Sequence, residues 1–202
     1  MSLTITLSPS MTVYFQEVVG EALRVRNVTA TEAASSYLVD LLCSFAHPDE
    51  QVGSTFNQPL TFLLRDALEA VGADRFQRLR VLGDGVLYAV GFFGGHIELK
   101  GIDRGYVVGV GSTAYRQAAA MLRRSATALT QGPDVLGEMA DKFERFAEVL
   151  NDVADGTLAS GARDERATLK LYERWLRTGS ARLAEELGAR GLNPVRGSGG
   201  LN

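Results

Sequence analysis

The sequence predicts an all-α fold, a single-domain bundle of about seven to eight helices over residues 12–190, between a flexible lead-in at 1–11 and a flexible tail at 191–202. Three observations lead there. Apolar residues recur at three- and four-residue spacing through most of the longer segments. Helix start and stop signals flank those segments. At 202 residues and 46% hydrophobic content, the chain is long enough to bury a sizeable core.

The elements follow in order. After the alternating stretch at 1–11 and the interruption at Ser8-Pro9-Ser10, a first helix runs from about Thr12 to Asn27, with Phe15, Val18, Val19, Ala22 and Leu23 on one face. Thr29-Ala30-Thr31-Glu32 has the form of a capping box, in which the threonine hydroxyl serves a free amide and the glutamate reaches back. The helix it opens, "EAASSYLVDLLCSFA", stops before His47-Pro48, because proline disfavours helical geometry in the residue ahead of it. A polar connector, "HPDEQVGSTFNQ", leads to Pro59, which suits the first turn of "PLTFLLRDALEAV". Gly72 caps that helix, and Asp74-Arg75-Phe76-Gln77 launches "RFQRLRVL".

The glycine-rich stretch from Gly83 to Gly111 supports two readings. As strands, "VLYAVGFF", "HIELK" and "YVVGV" form a meander turning at Gly94-Gly95, which makes the fold α+β with a small β-meander between 81 and 111. As helix, Leu82, Val86, Tyr88, Ala89 and Phe92/Phe93 form an apolar stripe continuous with helical segments on both sides. The helical reading is the one adopted. Beyond it, Gly132-Pro133-Asp134 restarts a long helix through Val153, with Leu136, Met139, Ala140, Phe143, Phe146, Ala147 and Leu150 inward. "DGTLASGARD" reads as a polar break. A last helix, "ERATLKLYERWLRTGSARLAEEL", places Leu169, Tyr172, Trp175, Leu176, Leu183 and Leu187 at helical spacing and stops at Gly188.

Bulk properties narrow the function classes. The formal net charge is −3; residues 1–100 carry 7 Lys/Arg against 11 Asp/Glu, and residues 101–202 carry 14 against 13. Neither half is a basic arm for neutralising phosphates, so no nucleic acid is expected as a partner. Cys43 is the lone cysteine, the first eleven residues lack the charged start of a signal peptide, and no apolar run approaches the roughly 20 residues that span a bilayer. The expected setting is cytoplasmic, with no membrane contact.

Gly109-Val110-Gly111-Ser112-Thr113-Ala114 matches the G-x-G-x-x-A form of the dinucleotide fingerprint. That motif needs a second strand bearing an acid about 20 residues on, and "RRSATALTQGPD" offers none. The two glycines are better explained by close helix–helix approach. Cys43 and His47, four apart, have the spacing of a thiol–imidazole pair, but Leu41, Leu42 and Phe45 around the thiol indicate a buried structural cysteine. With two histidines, one cysteine and no Glu-x-x-His pair, no metal site and no cofactor are expected. Glu138, Asp141, Glu144 and Glu148, interleaved with Lys142 and Arg145, read as a salt-bridged helix face. "ARLAEELGARGLNPVRG" resembles the first half of a helix-turn-helix, with Asn193-Pro194 where the recognition helix should start.

"YLVDLLCSFA", "GDGVLYAVGFF" and "LYERWLRTGSARLAEEL" resemble an uncharacterised bacterial family of predominantly helical proteins. The resemblance spans most of the chain, favours helix between 86 and 115, and implies no activity, ligand or site residue. The expected mode of action is therefore through a protein partner or as a homo-oligomer. The alternative is a small-molecule-binding protein or unrecognised enzyme with an aromatic pocket in the 88–115 region, built from Tyr88, Phe92, His96, Tyr106 and Tyr115. A weaker third reading uses Arg75, Arg78, Arg80, Arg116, Arg123 and Arg124 on a nucleic acid.

Overall fold

The computed structural model describes residues 9–46, 58–99, 101–125, 132–161 and 164–192, and every regular element among them is helical. The helices are α1 (Pro9–Val25), α2 (Glu32–Ala46), α3 (Leu60–Glu69), α4 (Gly72–Leu99), α5 (Arg104–Ser125), α6 (Val135–Asp141), α7 (Phe143–Gly161), α8 (Glu165–Thr178) and α9 (Ala181–Ala189). The β-meander alternative fails among the described residues, since α4 and α5 occupy that stretch. Residues 1–8, His47 with the connector to 57, and the tail from 193 lie outside the described residues.

Nine helices among the described residues exceed the seven or eight expected because two expected helices are broken. Lys142, at φ −107° and ψ 18°, separates α6 from α7. Gly179 takes a left-handed φ of 65°, its amide donates to the Trp175 carbonyl at 2.8 Å, and Ser180 Oγ then accepts from the Leu183 amide at 3.4 Å. That glycine-then-serine pair is a stop followed by a start. The opposite correction applies to "DGTLASGARD", where α7 continues to Gly161. Thr157 and Ser160 turn their hydroxyls back onto the Val153 and Thr157 carbonyls, at 2.9 and 3.1 Å.

The capping box is also displaced. Glu32 is the first residue of α2, so it cannot reach back as a third-position glutamate. Thr31 is the cap: its Oγ1 accepts from the Ala34 amide at 3.1 Å, while Glu138 of α6 accepts from the Thr31 amide at 3.1 Å and hydroxyl at 2.6 Å. A glutamate 107 residues away completes the box.

The chain divides into two compact units, residues 1–151 and 152–202. In the first, α4 packs along α5, α5 along α6, and α2 touches α1, α4 and α6. Its core includes Leu38, Leu42, Leu79, Leu87, Tyr115, Met139, Phe143, Phe146 and Leu150. In the second, α8 packs on α9, and Ala159, Leu171, Trp175, Leu183 and Leu187 form the core. Leu169 and Leu176, expected on the same inward stripe, are 56% and 46% exposed. Within this unit Arg174 Nε donates to Oδ1 of the fully buried Asp155.

Both fingerprint glycines lie inside α5, and they are not equivalent. A methyl group on Gly111 would collide with the Phe143 ring, whereas one on Gly109 would meet open space. Gly111→Ala is therefore expected to destabilise by about 1–3 kcal/mol through overpacking. Gly109→Ala should be neutral or stabilising by about 0.5–1 kcal/mol, since alanine outranks glycine in a helix. Equal thermal shifts for the two variants would overturn this packing account.

Candidate functional site

Of the five residues expected to line one pocket, the four whose side chains are described fall into three places. Tyr115 is fully buried in the core. Tyr88 and Phe92 lie half-buried in an aromatic cluster on α4. Tyr106, 40% exposed in the first turn of α5, shares no ring contact with them among the described residues. His96 belongs to the last turns of α4, and its side chain lies outside the described residues. Tyr115 thus belongs to a part-buried polar clasp, apart from the aromatic surface that holds Tyr88 and Phe92.

The clasp joins three helices through one carboxylate. Tyr37 of α2 and Tyr115 of α5 both donate their hydroxyls to Asp84 Oδ1, at 2.5 and 2.8 Å. Arg80, one turn earlier on α4, donates to Oδ2 at 3.2 Å. The tyrosine rings meet edge-on at 6.3 Å between centroids, and Tyr115 leans on Phe143. Gly83 makes room for this: a methyl there would meet the Tyr115 ring at 2.7 Å. Burial pushes the Asp84 carboxyl above the ordinary carboxylate range, outweighing the two phenols and Arg80, which pull it down. Oδ1 thus accepts from both phenols and Oδ2 accepts from Arg80. The bonds link α2, α4 and α5 through one carboxylate.

Burial, followed by the Asp84 charge, pushes the Tyr37 and Tyr115 phenols far above the ordinary tyrosine range. An acid whose folded pKa is raised contributes stability that is complete below its unfolded pKa and is lost as pH climbs. Through its phenols the clasp should weaken the fold above about pH 10, where unfolded phenols ionise and the native ones do not, while the raised Asp84 carboxyl already costs stability as pH climbs through the ordinary carboxylate range. In a spectrophotometric titration, at least two of the six tyrosines should stay un-ionised until the protein unfolds. Reversible titration of all six in the ordinary range would rule the clasp out.

The aromatic surface lies farther along the same helices. Phe45 of α2 stacks on Tyr88 at 4.3 Å with rings 6° from parallel, and Tyr88 stacks on Phe92 at 4.5 Å and 22°. Phe93 closes on Tyr88 from the side, at 5.9 Å and 72°, and is 53% exposed. Sequence reading missed Phe45, which belongs to a different helix and joins the cluster only through the α2–α4 packing.

Comparison with protein-family models, curated proteins and solved structures yields no match.

The charged residues are largely spent on one another. A cleft of about 390 Å³ is lined by Arg116, Arg123, Asp134, Glu138, Asp141 and Lys142. Within it Arg116 faces Asp141 at 3.7 Å, Arg123 pairs with Asp134 at 2.5 Å, and Lys142 pairs with Glu138 at 2.8 Å. Of the six arginines considered for a polyanion, Arg78 and Arg80 are likewise paired, with Asp74 and Asp84. Glu144 and Glu148 of the expected salt-bridged face reach other elements, Arg104 at 3.9 Å and Arg26 at 3.2 Å. Among the described residues no His, Cys, Asp and Glu cluster has a metal-holding arrangement, and no helix is long and apolar enough to cross a membrane.

Proposed function

We propose that this protein acts by self-association through the aromatic surface of α2 and α4. The observation that carries the reading is the set of four touching rings, Phe45, Tyr88, Phe92 and Phe93, with Phe93 half-exposed beside the stack. Aromatic side chains bury large area at low conformational cost and are the usual anchors of protein interfaces. A second copy suits this surface for two reasons. The rings stand in two orientations, near-parallel in the stack and near-perpendicular at Phe93, so a two-fold partner can meet edges with faces. Beside them Arg104, which lies over Gly94, and Glu144 give a rim of one charge of each sign. The two pair with each other at 3.9 Å, so the rim carries no net charge to repel a second copy.

Sedimentation equilibrium and native mass spectrometry over a range of concentrations test this. The expected result is a reversible dimer whose dissociation constant rises about tenfold or more in Phe93→Asp, with the circular dichroism spectrum unchanged. A wild-type monomer at every concentration would refute self-association. A monomer retaining the mass of a small molecule would turn the reading toward ligand binding.

A further inference from the structure

α4 is not one continuous helix. Phe93 has φ −125° and ψ 17°, a break between two helical stretches, and Gly94-Gly95 follow it. Glycine pairs are a recognised cause of such breaks, because they lower the cost of leaving helical geometry. Both sides of the break lie close to other elements. Before it, Gly91 lies against α7, where a methyl group would meet Leu150 Cβ at 2.5 Å. After it, Gly94 lies under Arg104, where a methyl group would meet Nη1 at 3.1 Å.

The geometry of the rings gives the break its consequence. In a continuous helix, residue 93 lies about 140° around the axis from residue 88, and residue 92 only about 40° from it. Phe92 can therefore stack on Tyr88 in any helix, but Phe93 belongs on another face. The observed φ differs from the helical value by about 60°, which swings the Phe93 Cβ, and its ring reaches Tyr88 at 5.9 Å. We propose that the break at Phe93 builds the self-association surface by bringing Phe93 onto the Phe45–Tyr88–Phe92 stack, and that a continuous α4 would take it away. This rests on the self-association reading and adds to it the backbone feature that creates the surface.

The test is the double variant Gly94→Ala/Gly95→Ala in the full chain, beside wild type. Each alanine favours the continuous helix about fivefold over glycine, and the Gly94 methyl meets only the movable end of an arginine. Three quantities are measured: amide hydrogen exchange across 94–99, the thermal midpoint and the dimer dissociation constant. Slower exchange, an unchanged or higher midpoint and a dissociation constant raised about tenfold or more are expected. A stable variant with slowed exchange and wild-type dimerisation would overturn the inference while leaving self-association intact. Unchanged exchange would also overturn it, since the glycines would then not permit the break, and loss of the native fold would show the break to be a requirement of folding instead. A monomeric wild type would remove both the reading and the inference.

Discussion

Asp84→Ala is expected to lower the unfolding free energy of the first unit by about 1–3 kcal/mol, the range for leaving a buried polar group without its partner. Three donors converge on that carboxylate, the Tyr37 and Tyr115 hydroxyls and Arg80 Nη1. Arginine can turn toward water, with 35% of its side chain exposed, but the Tyr115 hydroxyl sits in a fully buried residue. An unsatisfied buried hydroxyl costs about 1–3 kcal/mol, and the cavity left by the carboxylate adds to it. Asp84→Asn keeps an acceptor oxygen and should cost less. The triple change Tyr37→Phe/Asp84→Leu/Tyr115→Phe should recover much of the loss, because no phenolic hydroxyl is then left without a mate and Arg80 can turn to water. Urea titrations followed by circular dichroism measure all three. An Asp84→Ala protein within about 0.5 kcal/mol of wild type would show that the clasp does not hold the helices together.

Trp175→Ala should unfold the second unit. Trp175 is 5% exposed, lies 5.6 Å from the Tyr172 ring between centroids, and shares its core with Leu171, Leu183 and Leu187. Truncating a buried aromatic costs about 3–5 kcal/mol. A unit confined to residues 152–202 has little to spare, since so short a stretch buries a smaller fraction of its surface than a full-sized domain. Loss of exchange protection in α8 and α9 is the expected signature. Leu169→Ala and Leu176→Ala are the controls: both side chains are about half exposed and should change stability by no more than about 0.5 kcal/mol. Native protection in α8 and an unchanged midpoint for Trp175→Ala would refute the core assignment. A large loss for Leu169→Ala would instead restore the single inward stripe expected from spacing.

Helix type was legible in the sequence because it follows from local chemistry. The three- and four-residue spacing of Val19, Ala22 and Leu23, or of Leu38, Leu41 and Leu42, places those side chains on one face, and all six are buried. The helical reading of 86–115 over the meander likewise followed from continuity with the helices around it, and α4 and α5 bear it out. What periodicity could not settle was which apolar residues of α8 face inward: Leu169 and Leu171 are equally apolar, and only packing against α9 selects Leu171.

The sequence by itself determined that the chain is helical, that Cys43 and Trp175 are buried, and where most helices begin, because those properties depend on neighbours a few residues away. The tertiary structure alone decided the rest. Asp155, read as part of a polar break, is a fully buried helical residue because Arg174 comes back to it from another helix. Thr31 is capped from Glu138, and Asp84 holds two tyrosines from helices before and after its own. Each joins groups 19 to 107 residues apart, where neither partner's local sequence marks it as half of a pair. A polar group taken out of water is stable only with its mate in place, so for the buried Asp155 the mate, and not the spacing, fixes where it lies.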